Sequence, residues 1–483
     1  TVSRGRKWLM ADRFVQIINR KGIPMYQVDF NHPVHIYFIG IGGISMSGLA
    51  EILLSEGFRV SGSDAKKSSL TELLEKQGAV VHYGQRRENI TNDIDLIVYT
   101  AAIHKDNPEY TAMEELGLPS LTRAQLLGQM MRNYKTPIGV SGTHGKTTTT
   151  SMITEILLEA GTDPTISVGG ILKAIQGNIR VGKSDLFVTE ACEYTNSFLS
   201  FFPRIGIILN IEEDHMDFFR DLDDIRSSFR SFAQLLPEDG LLIINGDIPA
   251  YEEITRGLGC LVLTFGSNPS CDYSYDNVSH DETAHASFTL HRRGGPDVGV
   301  TLGVPGEHNI LNALAALALA DYLGIDMEAA SRALTKFTGT DRRFEYKGCV
   351  EGITIVDDYA HHPTEITATL KAARNYPHQT LWCVFQPHTY TRTKAFLPEF
   401  AHALSLADKV ILADIYPARE TDTLGISSRS LQEIIVNSGT ECHYFPDFEE
   451  IEKFILENCT PGDLLITMGA GDVVNIGENL LNK

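Results

Sequence analysis

The chain has 483 residues, of which 62 are acidic and 41 are basic, so its formal net charge is −21. At roughly 150 residues per domain this length suggests about three domains, and the charge argues against a nucleic-acid binder, which needs clustered cationic surface. The seven cysteines form no close pair, which favours a reducing cytoplasm over a disulfide framework or a cysteine zinc site, and no apolar run approaches the ~20 residues of a membrane helix.

The first 24 residues differ in charge from the rest of the chain. They carry six Lys or Arg residues and lack the apolar core of a secretory signal. We interpret residues 1–24 as a basic N-terminal extension outside the folded domains, and Met25 as a plausible natural start.

A glycine-rich turn follows the first predicted strand. The pattern predicts a strand over 34–39, a turn over 40–48, a helix through 49–54 and a second strand that ends at Asp64. In such a βαβ unit glycines let the backbone approach a pyrophosphate, and an acid about 20 residues on binds a ribose hydroxyl. Ser45 replaces the third glycine of the dinucleotide fingerprint, so a redox cofactor, another nucleotide diphosphate and a structural turn all remain open. The candidate contacts are Gly40, Gly42, Gly43, Ser45 and Asp64, with Thr100 after a strand over 95–99.

The most informative segment is a second glycine loop, GTHGKT, at residues 142–147. An apolar strand precedes it, and helical spacing of Met152, Ile153 and Ile156 follows it. Loop and helix N–H groups can face phosphates, Lys146 adds positive charge from an exposed loop, and the Thr147 hydroxyl can ligate Mg²⁺. The candidate ATP contacts here are Gly142, Thr143, His144, Gly145, Lys146, Thr147 and Thr148.

Two acidic clusters follow the next buried-type strands, on the side of the sheet that also carries the phosphate loop. Glu190 belongs to the first cluster and His215 to the second, and carboxylate and imidazole groups there can complete a metal shell around ATP oxygens. We interpret the other acids of the second cluster as a solvated loop.

Further along, residues 266–303 are polar with short alternating runs, which predicts hairpins inserted beside the main sheet. Asn309 and Asn312 then lie on one face of a predicted helix. Their paired amides can hydrogen-bond an adenine edge or can simply cap the helix.

Three polar clusters follow successive strands in the last third of the chain, at 357–363, 386–393 and 414–416. Clusters at the carboxyl ends of neighbouring strands predict a cleft. His362 and His388 each fit either this cleft or a structural role.

Taken together, the motifs resemble the Mur ligases of peptidoglycan synthesis over Met25–Lys483. The resemblance rests on GIGGISMSG (40–48), GTHGKTTTT (142–150), TEACEYTNSF (189–198), NIEEDHMD (210–217), PGEHNILNA (305–313), GTDRRF (339–344), DDYAHHPTE (357–365), FQPHTYTRT (385–393) and GAGD (469–472). It implies an α/β protein of three domains: a Rossmann-like UDP-binding domain over 25–134, a central P-loop ATPase domain with a mostly parallel sheet over 135–338, and a Rossmann-like C-terminal domain over 339–483.

The resemblance also implies a reaction. ATP phosphorylates the lactyl carboxylate of UDP-N-acetylmuramate, the amine of L-alanine attacks, and a tetrahedral intermediate releases phosphate. The implied cofactors are ATP and Mg²⁺, and the expected partners are these two substrates, with neither nucleic acid nor membrane. We expect a monomer or homodimer in the cytoplasm.

Residue roles carried over from the family concern charge first. Lys146 and Arg343 would neutralise the reacting anions together with two Mg²⁺ ions. Thr147 and Glu190 would hold the first ion, and Glu190 and His215 the second. The implied catalytic residues are Lys146, Arg343, His361 and Arg392.

Other implied roles concern binding. The expected adenosine contacts are His308, Asn309, Asn312 and, at the ribose, Asp358. Those for the amino acid and product are Tyr359, His361, His388 and Arg392. Asn196 and Ser197 would touch the sugar nucleotide, and His361 is a candidate proton acceptor. Thr389 replaces an arginine that some family members carry, which leaves the holder of the incoming carboxylate open.

Alternative functions remain open, and one feature of the central domain differs from that of several relatives. A ligase that attaches a recovered tripeptide to the same sugar nucleotide, a nucleotide-binding regulator and a dinucleotide-dependent dehydrogenase remain as alternatives. Several relatives carry a carbamylated lysine in the central domain, but this chain has no lysine between Lys183 and Lys336. Arginine cannot form the carbamate, so the chemistry should be independent of CO₂.

Overall fold

The computed structural model describes residues 26–100, 103–418 and 420–482, which form three separate sheets. The N-terminal extension and Met25 lie outside the described residues. Helices alternate with mostly parallel strands in each sheet, which confirms the predicted α/β class. Each sheet comes from one of the three predicted domain ranges, although the domain boundaries themselves stay a prediction.

The first sheet is wholly parallel, with the order β3-β2-β1-β4-β5. Its central strand β1 is buried at every position, as expected for a parallel strand covered on both faces. The strands are β1 (His35–Ile39), β2 (Arg59–Asp64), β3 (Val80–Tyr83), β4 (Leu96–Tyr99) and β5 (Ser120–Thr122). The helices are α1 (Ile44–Ser55), α2 (Ser69–Lys76), α3 (Pro108–Leu116) and α4 (Arg123–Met131). A 3₁₀ turn spans Arg87–Asn89.

The second sheet has ten described strands in the order β15-β14-β13-β12-β11-β10-β6-β9-β7-β8. They are β6 (Thr136–Ser141), β7 (Thr165–Leu172), β8 (Gly177–Arg180), β9 (Leu186–Glu190), β10 (Ile205–Ile208), β11 (Leu241–Asn245), β12 (Leu261–Phe265), β13 (Tyr273–His280), β14 (His285–Arg292) and β15 (Val298–Pro305). The helices are α5 (Lys146–Glu159), α6 (Leu222–Ala233), α7 (Tyr251–Thr255), α8 (His308–Tyr322) and α9 (Met327–Lys336), with 3₁₀ turns at Lys173–Ile175 and Tyr194–Ser200.

The predicted hairpins exist and lie at the edge of the main sheet, to which they are hydrogen-bonded. Strands β13, β14 and β15 pair antiparallel with one another, and β13 pairs with β12 through Phe265 and Tyr273. The hairpins therefore extend the second sheet at its edge. Alternation predicts a strand with one buried face, but it carries no information about which strand becomes its neighbour.

The third sheet has the order β16-β17-β21-β18-β19-β20, and only its edge strand β16 is antiparallel to its neighbour. The strands are β16 (Glu345–Val350), β17 (Ile353–Asp358), β18 (Leu381–Phe385), β19 (Lys409–Leu412), β20 (Glu441–Tyr444) and β21 (Leu464–Met468). The helices are α10 (Pro363–Arg374), α11 (Tyr390–Ala395), α12 (Leu397–Leu404), α13 (Ser428–Asn437), α14 (Phe448–Asn458) and α15 (Val474–Leu481).

The first and second sheets are joined by close packing between α1 and the β7–β8 hairpin. Asn178 Nδ2 donates to the Ile44 carbonyl at 2.9 Å. A Cβ on Gly48 would lie 1.9 Å from Cγ1 of Ile179, so the helix can approach the hairpin only because residue 48 has no side chain. The glycine-rich turn of the first sheet is thereby fixed relative to the second sheet.

Within the part of the chain that the structure describes, no helix has the length and apolar character needed to cross a membrane.

Candidate active site

The phosphate loop connects β6 to α5, as predicted. Gly145 has φ +81°, and a Cβ there would lie 2.5 Å from Oδ1 of Asn312 on α8. Glycine is needed at this position both for its backbone conformation and for the close approach to α8. Lys146 begins α5, so the free N–H groups of the first helical turn lie beside the loop, as in other phosphate sites.

Asn210, the second residue after β10, holds the phosphate loop in place. Its Oδ1 accepts from the His144 backbone N–H at 2.7 Å, and its Nδ2 donates to the His144 carbonyl at 3.1 Å. The sequence placed Asn210 within a motif but gave it no role. A short amide that follows a strand opposite a glycine loop is the only local signal for this function.

Lys146 is not on an exposed loop, which corrects that expectation. Its side chain is 15% exposed and its Nζ donates to Glu193 at 3.0 Å and to the carbonyls of Gly142 and Thr143. Burial opposes the charged form, but the nearby Glu193 carboxylate keeps the pKa of Lys146 above its usual value. Lys146 is therefore a cation at neutral pH, paired with a buried carboxylate that sequence analysis had not singled out.

A cavity of about 360 Å³, here called the first cavity, lies between the second and third sheets. Its apolar wall includes Ile248, Pro249 and Phe265. Eight of the residues predicted to contact ATP line it: His144, Gly145, Thr148, His308, Asn309, Asn312, Arg343 and Asp358. The structure thus brings together residues from the phosphate loop, α8 and β17 that are far apart in the sequence.

Several polar groups of the first cavity also hold its wall. Asn309 Nδ2 donates to the Pro305 carbonyl at 2.8 Å, and Asn312 Nδ2 donates to Asn309 Oδ1 at 2.9 Å. The Asp358 carboxylate accepts backbone N–H groups of Phe344 and Ala360. The asparagine pair thus makes structural hydrogen bonds, while its contact with adenine stays a prediction.

Burial changes the ionisation of two groups in the first cavity. It lowers the pKa of His308 to about 4, so this imidazole is neutral at pH 7. Burial also raises the pKa of Asp358 to about 6, although Arg343 opposes the shift. Arg343 itself lies 5.2 Å from the centre of the Tyr359 ring, at the boundary with the neighbouring cavity.

A second cavity of about 470 Å³ adjoins the carboxyl ends of β17 and β18. The predicted amino-acid and product contacts line it, together with one predicted metal ligand: Tyr359, His361, His388, Arg392 and His215. Arg392 Nη2 donates to Asp214 at 2.9 Å, and both side chains are about nine-tenths buried. Although burial opposes ionisation, the guanidinium holds the pKa of Asp214 well below its usual range.

Two of the histidines that line the second cavity, His361 and His388, are neutral. Burial lowers the pKa of His361 to about 3 and that of His388 to about 4. His361 Nδ1 lies 3.0 Å from the Tyr359 carbonyl, which can only accept, so this nitrogen carries the proton and Nε2 has the lone pair. So low a pKa makes His361 a weak proton acceptor and favours a hydrogen-bonding role.

The predicted metal ligands lie around Lys146. Thr147 is the second residue of α5, and Glu190 ends β9, where Oε1 accepts the Gly169 N–H at 2.5 Å. His215 Nε2 is 3.5 Å from Glu193, the carboxylate that also pairs with Lys146. Carboxylate and hydroxyl oxygens suit Mg²⁺.

The predicted sugar-nucleotide contacts lie around the first sheet and in the 3₁₀ turn after β9. Gly40 and Gly42 follow β1, and the Asp64 carboxylate accepts the Gly42 N–H at 2.9 Å, so one of its oxygens shapes the turn. Asn196 and Ser197 lie in the 3₁₀ turn after β9. The amide oxygen of Asn196 accepts from Ser228, and the Ser197 hydroxyl bonds to nearby carbonyls. Gly43 and Ser45 flank the start of α1, and Thr100 follows β4.

His144 connects the phosphate loop to the third sheet. Its Nδ1 is 3.2 Å from Glu365 on α10, and its Nε2 is 3.5 Å from Glu212 after β10. Burial alone would lower the pKa of His144, but the two carboxylates raise it to about 9. Glu212 also accepts from the Thr364 hydroxyl at 2.8 Å. Neither acid was predicted as a site residue: Glu212 was grouped with the solvated acids of its cluster, and Glu365 received no role.

This charge arrangement predicts a pH-dependent stability. Because the pKa of His144 is raised, its contribution is fully present below the unfolded-state pKa of about 6.5 and is lost as the pH rises through about 9. We expect His144→Gln to cost about 3 kcal/mol of unfolding free energy at pH 6 and much less at pH 10. Chemical denaturation of both proteins at several pH values measures this difference, and a gap that does not change with pH would contradict the assignment.

The fold and the phosphate loop define a P-loop protein whose first cavity lies between a central and a C-terminal α/β unit. Comparison with known proteins extends this. Residues 35–135 match the catalytic domain of the Mur ligase family, residues 140–320 the Mur ligase middle domain, and residues 342–471 the glutamate ligase domain of Mur ligases. The chain belongs to the Mur ligase family.

Individual relatives are similar to this chain over nearly its whole length. The UDP-N-acetylmuramate–L-alanine ligase of Agathobacter rectalis is 61% identical over 459 residues, which are 95% of this chain and 100% of the relative. The crystal structure of UDP-N-acetylmuramate-alanine ligase from Thermotoga maritima is 30% identical with a TM-score of 0.78, covering 93% of this chain and 98% of its own. A murein peptide ligase from Psychrobacter arcticus is 27% identical with a TM-score of 0.70, covering 93% and 98%.

Proposed function

We propose that the protein is an ATP-dependent ligase that joins the lactyl carboxylate of UDP-N-acetylmuramate to L-alanine, with ADP and phosphate as the other products. One structural observation supports this most directly. The loop after β10 lines both cavities, with Glu212 in the first and Asp214 and His215 in the second. A nucleotide in the first cavity and a carboxylate in the second would therefore meet at this loop.

The proposed reaction has two steps. A carboxylate oxygen attacks the γ-phosphorus and ADP leaves; the amine then attacks the acyl carbon, and phosphate leaves. The first step brings the carboxylate and the ATP phosphates together, and the second builds negative charge on the acyl oxygen, so positioning and charge neutralisation dominate. Lys146 and Arg343 supply positive charge from the nucleotide side, and Arg392 supplies it from the second cavity. His361 and Tyr359 border the acyl group.

Magnesium fits the residues around Lys146. Thr147 and Glu190 offer oxygen atoms, and His215 offers an imidazole on the opposite side of Glu193. When bound, the metal would neutralise phosphate charge and orient the γ-phosphoryl group. The UDP moiety is assigned to the turn after β1, with Gly40, Gly42, Gly43 and Ser45 next to the pyrophosphate. A monomer or homodimer in the cytoplasm remains our expectation.

One assay tests this function against its alternatives. We expect phosphate release from ATP only when UDP-N-acetylmuramate and L-alanine are both present, with glycine and L-serine as comparison amino acids. Equal or greater turnover with the L-Ala-γ-D-Glu-diaminopimelate tripeptide would indicate the recycling ligase instead. Slow ATP hydrolysis that does not depend on either co-substrate would indicate a regulator.

A second measurement concerns CO₂. Helix α6 carries Arg226 and Arg230, and Arg226 donates to the carbonyls of Pro249 and Ala250 at 2.8 and 2.9 Å. These guanidinium groups hold α7 in place and cannot form a carbamate. We expect the ligase rate in CO₂-depleted buffer to be unchanged by added bicarbonate at fixed pH and ionic strength. Several-fold activation by bicarbonate would show that another residue is carbamylated.

A further inference from the structure

A cluster of potential metal ligands lies beside the first cavity, apart from the proposed magnesium ligands. His144, Glu212 and His362 each offer one ligand atom, and these atoms lie within 4.8 Å of one another. They come from three elements: the phosphate loop, the loop after β10 and the N-terminus of α10. Tetrahedral zinc ligands lie roughly 3.3 Å apart at zinc–nitrogen distances of ~2.0 Å, so only small side-chain movements are needed.

Two buried nitrogens in this cluster have no hydrogen bond. Among the described residues, Nε2 of His362, which is only 5% exposed, has no hydrogen-bond partner, and Nε2 of His144 has only the 3.5 Å ionic contact with Glu212. Buried polar atoms are normally satisfied, so each unpaired one calls for an explanation. The two imidazole rings lie 4.9 Å apart, centre to centre.

The surroundings of His144 match those of a metal-bound histidine. Metal-ligating imidazoles usually donate their other N–H group to a carboxylate, which fixes the tautomer. His144 Nδ1 lies 3.2 Å from Glu365 Oε1, which leaves Nε2 directed toward Glu212 at 3.5 Å. The Glu212 side chain is 39% exposed, so an ion has a path from solvent.

We propose that His144, Glu212 and His362 form a second metal site, which binds a divalent transition-metal ion such as Zn²⁺ and joins the phosphate loop to α10. Two imidazoles and one carboxylate suit Zn²⁺ far better than Mg²⁺, which prefers oxygen ligands. Binding releases the proton that His144 shares with its carboxylates. When Nε2 of His362 binds the metal, the ring proton moves to Nδ1. This nitrogen then no longer accepts from the Thr364 N–H, a long contact of 3.4 Å.

The test is a calorimetric titration of the full chain with ZnCl₂ in excess Mg²⁺. We expect one Zn²⁺ per chain, a higher thermal unfolding midpoint with Zn²⁺, and binding at least about tenfold weaker in His362→Asn. Asparagine keeps the acceptor that His362 offers at the start of α10 but removes the imidazole. His291→Asn is the matched control, because His291 also lies between two carboxylates, Asp276 and Asp297, and we expect it to bind as the wild type does.

Two outcomes would overturn the proposal. Absence of Zn²⁺ uptake by the wild type is one, and loss of binding in His215→Ala with normal binding in His362→Asn is the other, because the ion would then occupy the magnesium site. If His362→Asn does not fold, Co²⁺ replaces the variant as a probe. A tetrahedral Co²⁺ absorption band in the wild type that Glu365→Gln weakens supports the site, and an octahedral spectrum contradicts it.

Discussion

Replacing Lys146 by alanine should lower kcat at least a hundredfold, since loss of one preorganised electrostatic group typically costs 10²-fold or more. The structure adds a second effect. Glu193 is only 2% exposed, and Lys146 is its cationic partner at 3.0 Å. Removing one member of a buried pair commonly costs about 3–5 kcal/mol, so the variant should also unfold at lower denaturant concentration.

A double variant separates the two effects of this substitution. In Lys146→Ala/Glu193→Gln the buried carboxylate is replaced by a neutral amide, so much of the lost stability should return. Activity should not return, because the positive charge beside the phosphates is still missing. Steady-state kinetics and urea denaturation of wild type, single and double variants provide the comparison. A single variant that keeps more than about a tenth of wild-type kcat would refute the role of Lys146.

Arg392→Ala should have the second largest effect, a loss of about 10²-fold or more in kcat/KM for L-alanine. Its guanidinium is the cation of the second cavity, paired with Asp214 and 3.2 Å from His388. Without it the buried Asp214 carboxylate loses its counter-charge, so the pKa of Asp214 should rise toward normal values. Steady-state kinetics with varied L-alanine measure the loss in kcat/KM. NMR titration measures the change in the pKa of Asp214.

The control for Arg392 is an arginine of similar pairing but greater exposure. Arg374 on α10 pairs with Asp408 at 2.8 Å, and the two side chains are 41% and 35% exposed. Exposed pairs typically contribute up to ~1 kcal/mol, so Arg374→Ala should leave activity unchanged and stability nearly so. Equal losses in both variants would mean that Arg392 acts through general stability and not at the site.

The sequence was sufficient for features that depend on local pattern. The phosphate loop, its preceding strand and α5 follow from glycine positions and apolar spacing, and the strand predicted over 34–39 is observed at His35–Ile39. The gathering of polar clusters at the strand ends also followed, because parallel strands present their carboxyl ends at one edge.

The pairing of buried charges did not follow from the sequence. Glu193 and Asp214 each stand within two residues of another ionisable group in their motifs, and Glu365 lies three residues after His362. Which one becomes buried depends on where the chain turns after a strand, as at His215, which has φ +56°. The low pKa of His361 likewise depends on its burial in the folded protein, which local spacing cannot report.

The contact between Gly48 and Ile179 restricts how the chain can vary over evolution. The first residue belongs to the helix after the glycine-rich turn and the second to β8, so a methyl group gained at one position must be matched by atoms lost at the other. In an alignment of relatives, we expect alanine or serine at position 48 only where position 179 carries a smaller side chain. We therefore expect the two positions to vary together, although they are remote in the sequence.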